Sequence, residues 1–290
     1  MKYAWITSHR DQFEVCRMCR VLRVSKSGYY ASLKRKPSAR VQRGEAIHRC
    51  VKQIFEESDG IYGSYKIAQE LAKDDRLESA CRNTIAKAMK EMGLKSCVSR
   101  KFKPTTTITD PAKKPAPNIL AQNFEASAPN QKWVSDITYL PTAQGWVYLA
   151  VVLDLYSRKV VGWTISDSLS TSIVTSAMRK AIEARQPNTE ELMHHSDRGC
   201  QYTSDQFQTM LRTMKICCSM SRKGCCYDNA VMERFFWSLK KEWTNRQSFQ
   251  DLKQAEISVF KYVETFYNSK RIHQTLNYKS PNEFERQLAG

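Results

Sequence analysis

The chain has 290 residues, enough for one large domain or two modest ones, and 41% are hydrophobic, which excludes global disorder. Its net charge is +17, and residues 1–115 hold 25 Lys/Arg against 12 Asp/Glu, which points to a polyanion, above all nucleic acid, as partner. No apolar run reaches the length of a membrane span and the first ten residues lack a signal-like apolar stretch, so a cytoplasmic protein without a membrane partner is expected.

Residues 1–40 read as a short helical segment. Within it, 12–35 form a helix, a turn at Val24-Ser25-Lys26-Ser27-Gly28, and a second helix. Cys16 and Cys19 make a C-x-x-C, but no second Cys or His pair follows at zinc-site spacing. Most of the ten cysteines are expected as reduced thiols.

Residues 41–98 carry three amphipathic helices. The first covers 43–57, with Ile47, Val51, Ile54 and Phe55 on one face; the second covers 64–73; the third covers 83–92 and ends at Gly93. Their short connections suggest a helix-turn-helix DNA-binding module, with the third helix offering Arg82, Lys87 and Lys90 to DNA. A plain bundle with a solvated basic face is the alternative. Residues 99–130, rich in Pro, Thr and Lys, read as an extended, partly mobile linker.

From 131 the pattern turns to α/β. Strands are expected at 132–140, 147–155, 159–165, 192–196 and 215–220, and the first three can pair as a meander. Helices are expected at 171–185, 204–213, 228–245 and 252–268. The order of strands and helices predicts an RNase H-like core at 131–247, followed by a C-terminal helical extension at 248–290.

Three acids stand out in this frame. Asp136 lies within the first strand, Asp197 just past the fourth, and Glu233 on the helix after the fifth; thirty-five residues separate the last two. Adjoining strands can bring the two aspartates together, and the helix can turn Glu233 and Lys240, two turns apart, toward them. Asp228 is a suitable N-cap for that helix. Three carboxylates in a basic protein suit two Mg²⁺ ions, with Mn²⁺ as a substitute, for phosphodiester chemistry. Asp154, after the second strand, is a rival expected to be structural. Arg222, Lys223 and Gly224 form a loop beside the site, and Arg222, Lys223 and Lys240 are assigned to DNA. Arg271 is assigned to DNA too, with bracing of the catalytic helix as its other reading. His195 is expected to be a hydrogen-bonded core histidine.

The chain resembles DDE transposases of the retroviral integrase superfamily, and among them the second-reading-frame (OrfB) products of the IS-three insertion sequences. The runs that carry the likeness are 19–30, 61–67, 133–139, 195–202 and 219–224. Asp228-Asn229-Ala230 with Glu233, and Tyr267 through Leu276, complete it. The resemblance implies Mg²⁺-dependent cleavage and strand transfer at insertion-sequence ends by Asp136, Asp197 and Glu233. It further implies double-stranded DNA as partner, a homo-oligomer on that DNA in the nucleoid, and a first-reading-frame product supplying another helix-turn-helix. A DNA-binding regulator without catalysis, made from the same frame, is the alternative.

Overall fold

The computed structural model describes residues 1–34, 38–73, 80–97 and 115–287. Near the N-terminus stand α1 (Lys2–Ser8), α2 (Val15–Val21) and α3 (Lys26–Lys34), around a small core of Ile6, Met18, Cys19 and Tyr29. The expected helix pair is present, and α1 is an addition. Next come α4 (Ala39–Glu57), α5 (Ser64–Leu71) and α6 (Arg82–Glu91). They bury Ile47, Val51, Ile67, Leu71, Ile85 and Met89, the apolar positions that the 3.6-residue period selects.

The second half is built on a sheet of β1 (Lys132–Thr142), β2 (Gly145–Asp154), β3 (Val160–Ser166), β4 (Met193–Ser196) and β5 (Cys217–Met220), in the order β3-β2-β1-β4-β5. The first three pair antiparallel, while β4 runs parallel to both β1 and β5. Parallel pairing demands crossovers, and α7 (Thr171–Arg185) and α8 (Asp205–Thr213) supply them. Both lie on one sheet face, over Trp133, Ala150 and Val152. Gly162 on β3 makes the close approach of α7 possible, because a Cβ there would sit 2.4 Å from the Ala177 carbonyl oxygen.

The opposite face is covered by α9 (Ala230–Glu242) and α10 (Leu252–Phe260), and α11 (Pro281–Arg286) closes the chain. The long C-terminal helix expected at 252–268 is α-helical only to Phe260 and continues as a π-helical segment, Lys261–Tyr267. That widening turns Tyr262, Val263, Phe266 and Tyr267 inward together. Helix α11 carries a capping box between Ser280 and Glu283, with Pro at its start.

Residues 115–130 depart from the mobile linker expected there. Leu120 is fully buried, the Ile119 and Leu120 amides donate to Ser219 Oγ, and the Met220 amide donates to the Pro117 carbonyl. Residues 117–120 thus run along β5 at the edge of the sheet; the rest of the expected linker, 99–114, lies outside the described residues.

The helical module and the sheet domain share one hydrophobic cluster. The Tyr62 hydroxyl donates to the Lys270 carbonyl at 3.1 Å and accepts from the Ile272 amide at 3.0 Å, while Arg246 pairs with Asp59 at 3.3 Å.

Candidate active site

Alternation along β1 decides where Asp136 points. Trp133 and Ile137 join the cluster under α7 and α8, whereas Val134 and Leu140 join the cluster under α9. Asp136 shares the parity of Val134, so its carboxylate rises on the α9 face. The β1–β4 register pairs Val134 with His195 and Ser135 with Ser196. Asp197 follows directly on the end of β4 and lies within electrostatic reach of Asp136.

Each aspartate is held by a local amide. Asp136 Oδ1 accepts from the Ile137 N–H at 2.8 Å, and Asp197 Oδ1 accepts from the Gly199 N–H at 2.9 Å. The Asp136 carboxyl is pushed well above the usual carboxylate range, first by burial, then by the Asp197 charge and, more weakly, by Glu233. Lys240 offsets part of this, and Asp136 in turn holds up the Lys240 ammonium against its own burial. Glu233 is half-buried in the first turn of α9, where the helix dipole favours an anion, and burial raises its carboxyl. The structure therefore brings Asp136, Asp197, Glu233 and Lys240 into one electrostatic neighbourhood.

The metal question turns on this donor set. The convergent groups are carboxylate oxygens, the hard ligands that Mg²⁺ and Mn²⁺ take, and their mutual repulsion is what a cation would relieve. Among the described residues no three His, Cys, Asp or Glu side chains already form a closed cage. The two aspartates supply the neighbouring oxygens, and Glu233 stands on α9 without forming a three-residue metal group with them. The residues fit a divalent ion.

Asp228 does not cap α9 as expected. The N-cap position is Asn229, without a side-chain cap bond, and Asp228 lies in a 3₁₀ turn, Cys226–Asn229. Its fully buried carboxylate accepts from Asn118 Nδ2 and Gln122 Nε2, both at 2.8 Å, and from the Arg222 amide at 2.8 Å. The Arg222 guanidinium adds bonds of 3.1 and 3.0 Å. These partners, Arg222 first, hold the carboxyl far below its usual range. Arg222, expected at the DNA, thus closes the loop on Asp228, with its side chain still 60% exposed. Lys223 is exposed beside it, and Gly224 takes the left-handed turn conformation. Sequence reasoning missed Asn118 and Gln122, since nothing in a Pro-rich stretch signals a clamp on a residue over a hundred positions away.

Arg271 is a correction. It is 7% exposed, and its guanidinium grips Glu242 of α9 through bonds of 2.7 and 2.6 Å, with Ser238 Oγ at 3.2 Å. A buried guanidinium so engaged cannot meet DNA, so of its two readings Arg271 takes the second and braces α9. Tyr262 donates to the same Glu242 at 3.0 Å.

His195 is a buried histidine bonded to Ser219 and Ser221 of the neighbouring strand end. Ser219 Oγ already accepts two amides, so its hydroxyl proton goes to His195 Nδ1, and Nε2–H donates to Ser221. Burial lowers its pKa to about 4, so it is neutral. Asp154 is structural: it is fully buried, bonded to the Asn130 and Tyr156 amides, with Arg185 at 3.8 Å. Tyr202 lies in the run 195–202, where the sequence alone suggests no role for it. It is almost wholly buried, has no hydrogen-bond partner for its hydroxyl among the described residues, and lies in the field of both Asp136 and Asp197. Arg82, Lys87 and Lys90 are all exposed on α6, away from its buried face.

Comparison with known proteins agrees with this geometry. Residues 126–226 match the integrase core domain family, and 214–281 match a second integrase core domain family. Residues 42–102 match the HTH-like domain family. The transposase InsF for insertion sequence IS3A of Escherichia coli K12 is 39% identical over 287 residues, covering 98% of each chain. The transposase for insertion sequence element IS904 of Lactococcus lactis is 39% identical over 252 residues, 87% of this chain and 98% of that one. Among solved structures, the HTLV-2 integrase catalytic core domain in complex with magnesium aligns with a TM-score of 0.44 at 17% identity, over 56% of this chain and 99% of its own. The simian T-cell lymphotropic virus intasome gives 0.47 at 14% identity, over 81% and 74%. With an integrase core, an HTH-like module and near-full-length identity to InsF, the chain belongs to the IS3 family of insertion-sequence transposases, polynucleotidyl transferases of the integrase class.

Proposed function

We propose that the chain cuts DNA at the ends of an insertion sequence and joins the freed 3′ ends to another strand, with Asp136, Asp197 and Glu233 as its catalytic acids. The observation that supports this reading is the electrostatic neighbourhood of Asp136 on β1 with Asp197, just past the parallel-paired β4, and with Glu233 and Lys240 of α9. Two Mg²⁺ ions held by the three carboxylates, or Mn²⁺ in their place, would activate the attacking oxygen and stabilise the leaving 3′-oxygen. Lys240, whose ammonium Asp136 supports against the effect of burial, holds a phosphate next to the scissile bond. Arg82, Lys87 and Lys90 on α6 and Lys223 on the loop contact duplex DNA. Water as nucleophile gives cleavage and a DNA 3′-hydroxyl gives joining; both are in-line attacks on phosphorus, so one set of carboxylates serves both. The working form is a homo-oligomer on element ends and target, in the bacterial nucleoid, with the first-reading-frame product as fusion or partner.

The test is a cleavage and joining assay on labelled element-end DNA with Mg²⁺. Asp197→Asn is expected to lose both steps while DNA affinity holds. An active Asp197→Asn protein would refute the assignment.

A further inference from the structure

The basic excess is not densest where the HTH-like family match falls. Residues 42–102 hold 12 Lys/Arg against 9 Asp/Glu, whereas the shorter stretch 1–34, which carries α1 to α3, holds 7 against 2. The more strongly cationic unit is therefore the small one that precedes the matched module.

Its shape suits duplex DNA. Helix α2 is followed by a four-residue turn, Leu22 to Ser25, and then by α3. A turn of that length is the one that sets two helices across each other in a helix-turn-helix. Arg23 holds a left-handed conformation in the turn, at φ 49°. Helix α1 ties the motif down: Lys2 Nζ donates to the Leu22 carbonyl, and Tyr3 lies over Gly28, where a Cβ would come 2.5 Å from the Tyr3 hydroxyl. The inward faces are settled by burial of Met18, Cys19 and Tyr29. Arg17 and Arg20, one turn apart on α2, and Arg23 in the turn are left exposed. On α3 the exposed positions Ser27, Tyr30, Ala31 and Lys34 follow the i, i+3, i+4, i+7 spacing of a single face.

We infer that α1 to α3 form a second DNA-binding helix-turn-helix, in tandem with the α4 to α6 module. Arg17, Arg20 and Arg23 clasp phosphates. The exposed face of α3 enters a major groove, where Ser27, Tyr30 and Lys34 meet base edges. The unit thus adds its own stretch of duplex to the one bound by the matched module. The inference deepens the transposase reading and rests on it only for the choice of DNA.

The experiment uses the full chain on duplexes carrying an element end, with affinity followed across salt concentrations and hydroxyl-radical footprints. Arg17→Ala/Arg20→Ala is expected to weaken binding roughly tenfold and to lower the salt slope by about two, one for each phosphate left without its arginine. Tyr30→Ala/Lys34→Ala is expected to erase one stretch of protection while leaving that of α6 in place; Lys87→Ala/Lys90→Ala is expected to do the reverse. Matching circular dichroism and melting curves establish that the variants fold. If both N-terminal variants keep the wild-type slope and footprint, the inference is overturned and the unit is left as a protein-contact surface. Cleavage by the unmodified chain is scored separately, so a failed catalytic reading is not mistaken for a failed second binding unit.

Discussion

Asp136 shows what gathering acids together costs at the scale of one residue. Its carboxyl is held above its ordinary range by burial and by two neighbouring acids, so the ionised form is strained in the absence of a cation. A raised folded value means that the stability linked to this group is fully present below the unfolded pKa near 4 and is lost as pH rises through the folded value. Asp136→Asn is therefore expected to raise the melting temperature of the metal-free protein at pH 7 by about 2–4 °C. Mg²⁺ should stabilise the wild-type chain and leave the variant unmoved. A thermal-shift titration without DNA reads both effects, and an equal response of the two proteins to Mg²⁺ would argue against metal binding at Asp136. His195 lies two residues before Asp197 and is neutral, fixed by two serines. Its work is to hold β4 against the end of β5, and so to keep Asp197 within reach of Asp136.

At the scale of an element, α9 decides whether the third acid arrives. It is held at both ends. Upstream, Asp228 gathers Asn118, Gln122 and Arg222 at the turn that feeds the helix. Downstream, Arg271 grips Glu242 in the interior. Removing one partner of such a pair strands a buried charge, so Arg271→Met is expected to cost about 3–5 kcal/mol. Glu242→Gln/Arg271→Met is expected to recover much of that loss. Urea unfolding of the two single variants and the double variant measures the coupling, and additive losses would show that the pair does not act as a unit. The helix was legible from its apolar stripe, because Met232, Phe236 and Leu239 recur at helical spacing and are all buried. Its anchors were only partly legible: bracing was one of two readings of Arg271, and the partners of Asp228 gave no signal. Arg271 read as a DNA contact because the sequence shows a charge and conceals its depth. The capping signal at Ser280 to Glu283 was present in the sequence, yet the helix it starts is only six residues long, too short to display a period.

For the whole molecule, the consequential junction is the seat of the α4 to α6 module on the C-terminal segment. The buried Ile272 amide donates to the Tyr62 hydroxyl, so Tyr62→Phe leaves that donor unpaired, at about 1–3 kcal/mol. Hydrogen exchange is expected to speed up at Ile272 and through residues 268–276 in this variant; unchanged protection there would mean that the hydroxyl does not hold the module down. The same segment carries Arg271, so the DNA-binding module and the brace of α9 meet at one place. By itself the sequence determined the class of the protein. Apolar periodicity laid out the strands and helices in order, net charge pointed to a polyanion, and the motifs around Asp136, Asp197 and Glu233 carried the family resemblance, because these are local patterns that survive in one dimension. Only the tertiary structure decided which charges face solvent and which lie inside. It turned Arg271 inward, gave Asp228 to residues of a stretch that reads as linker, and fixed residues 117–120 along β5. Each of these rests on desolvation and on partners distant in sequence, and burial is a property of the packed chain that no local pattern carries.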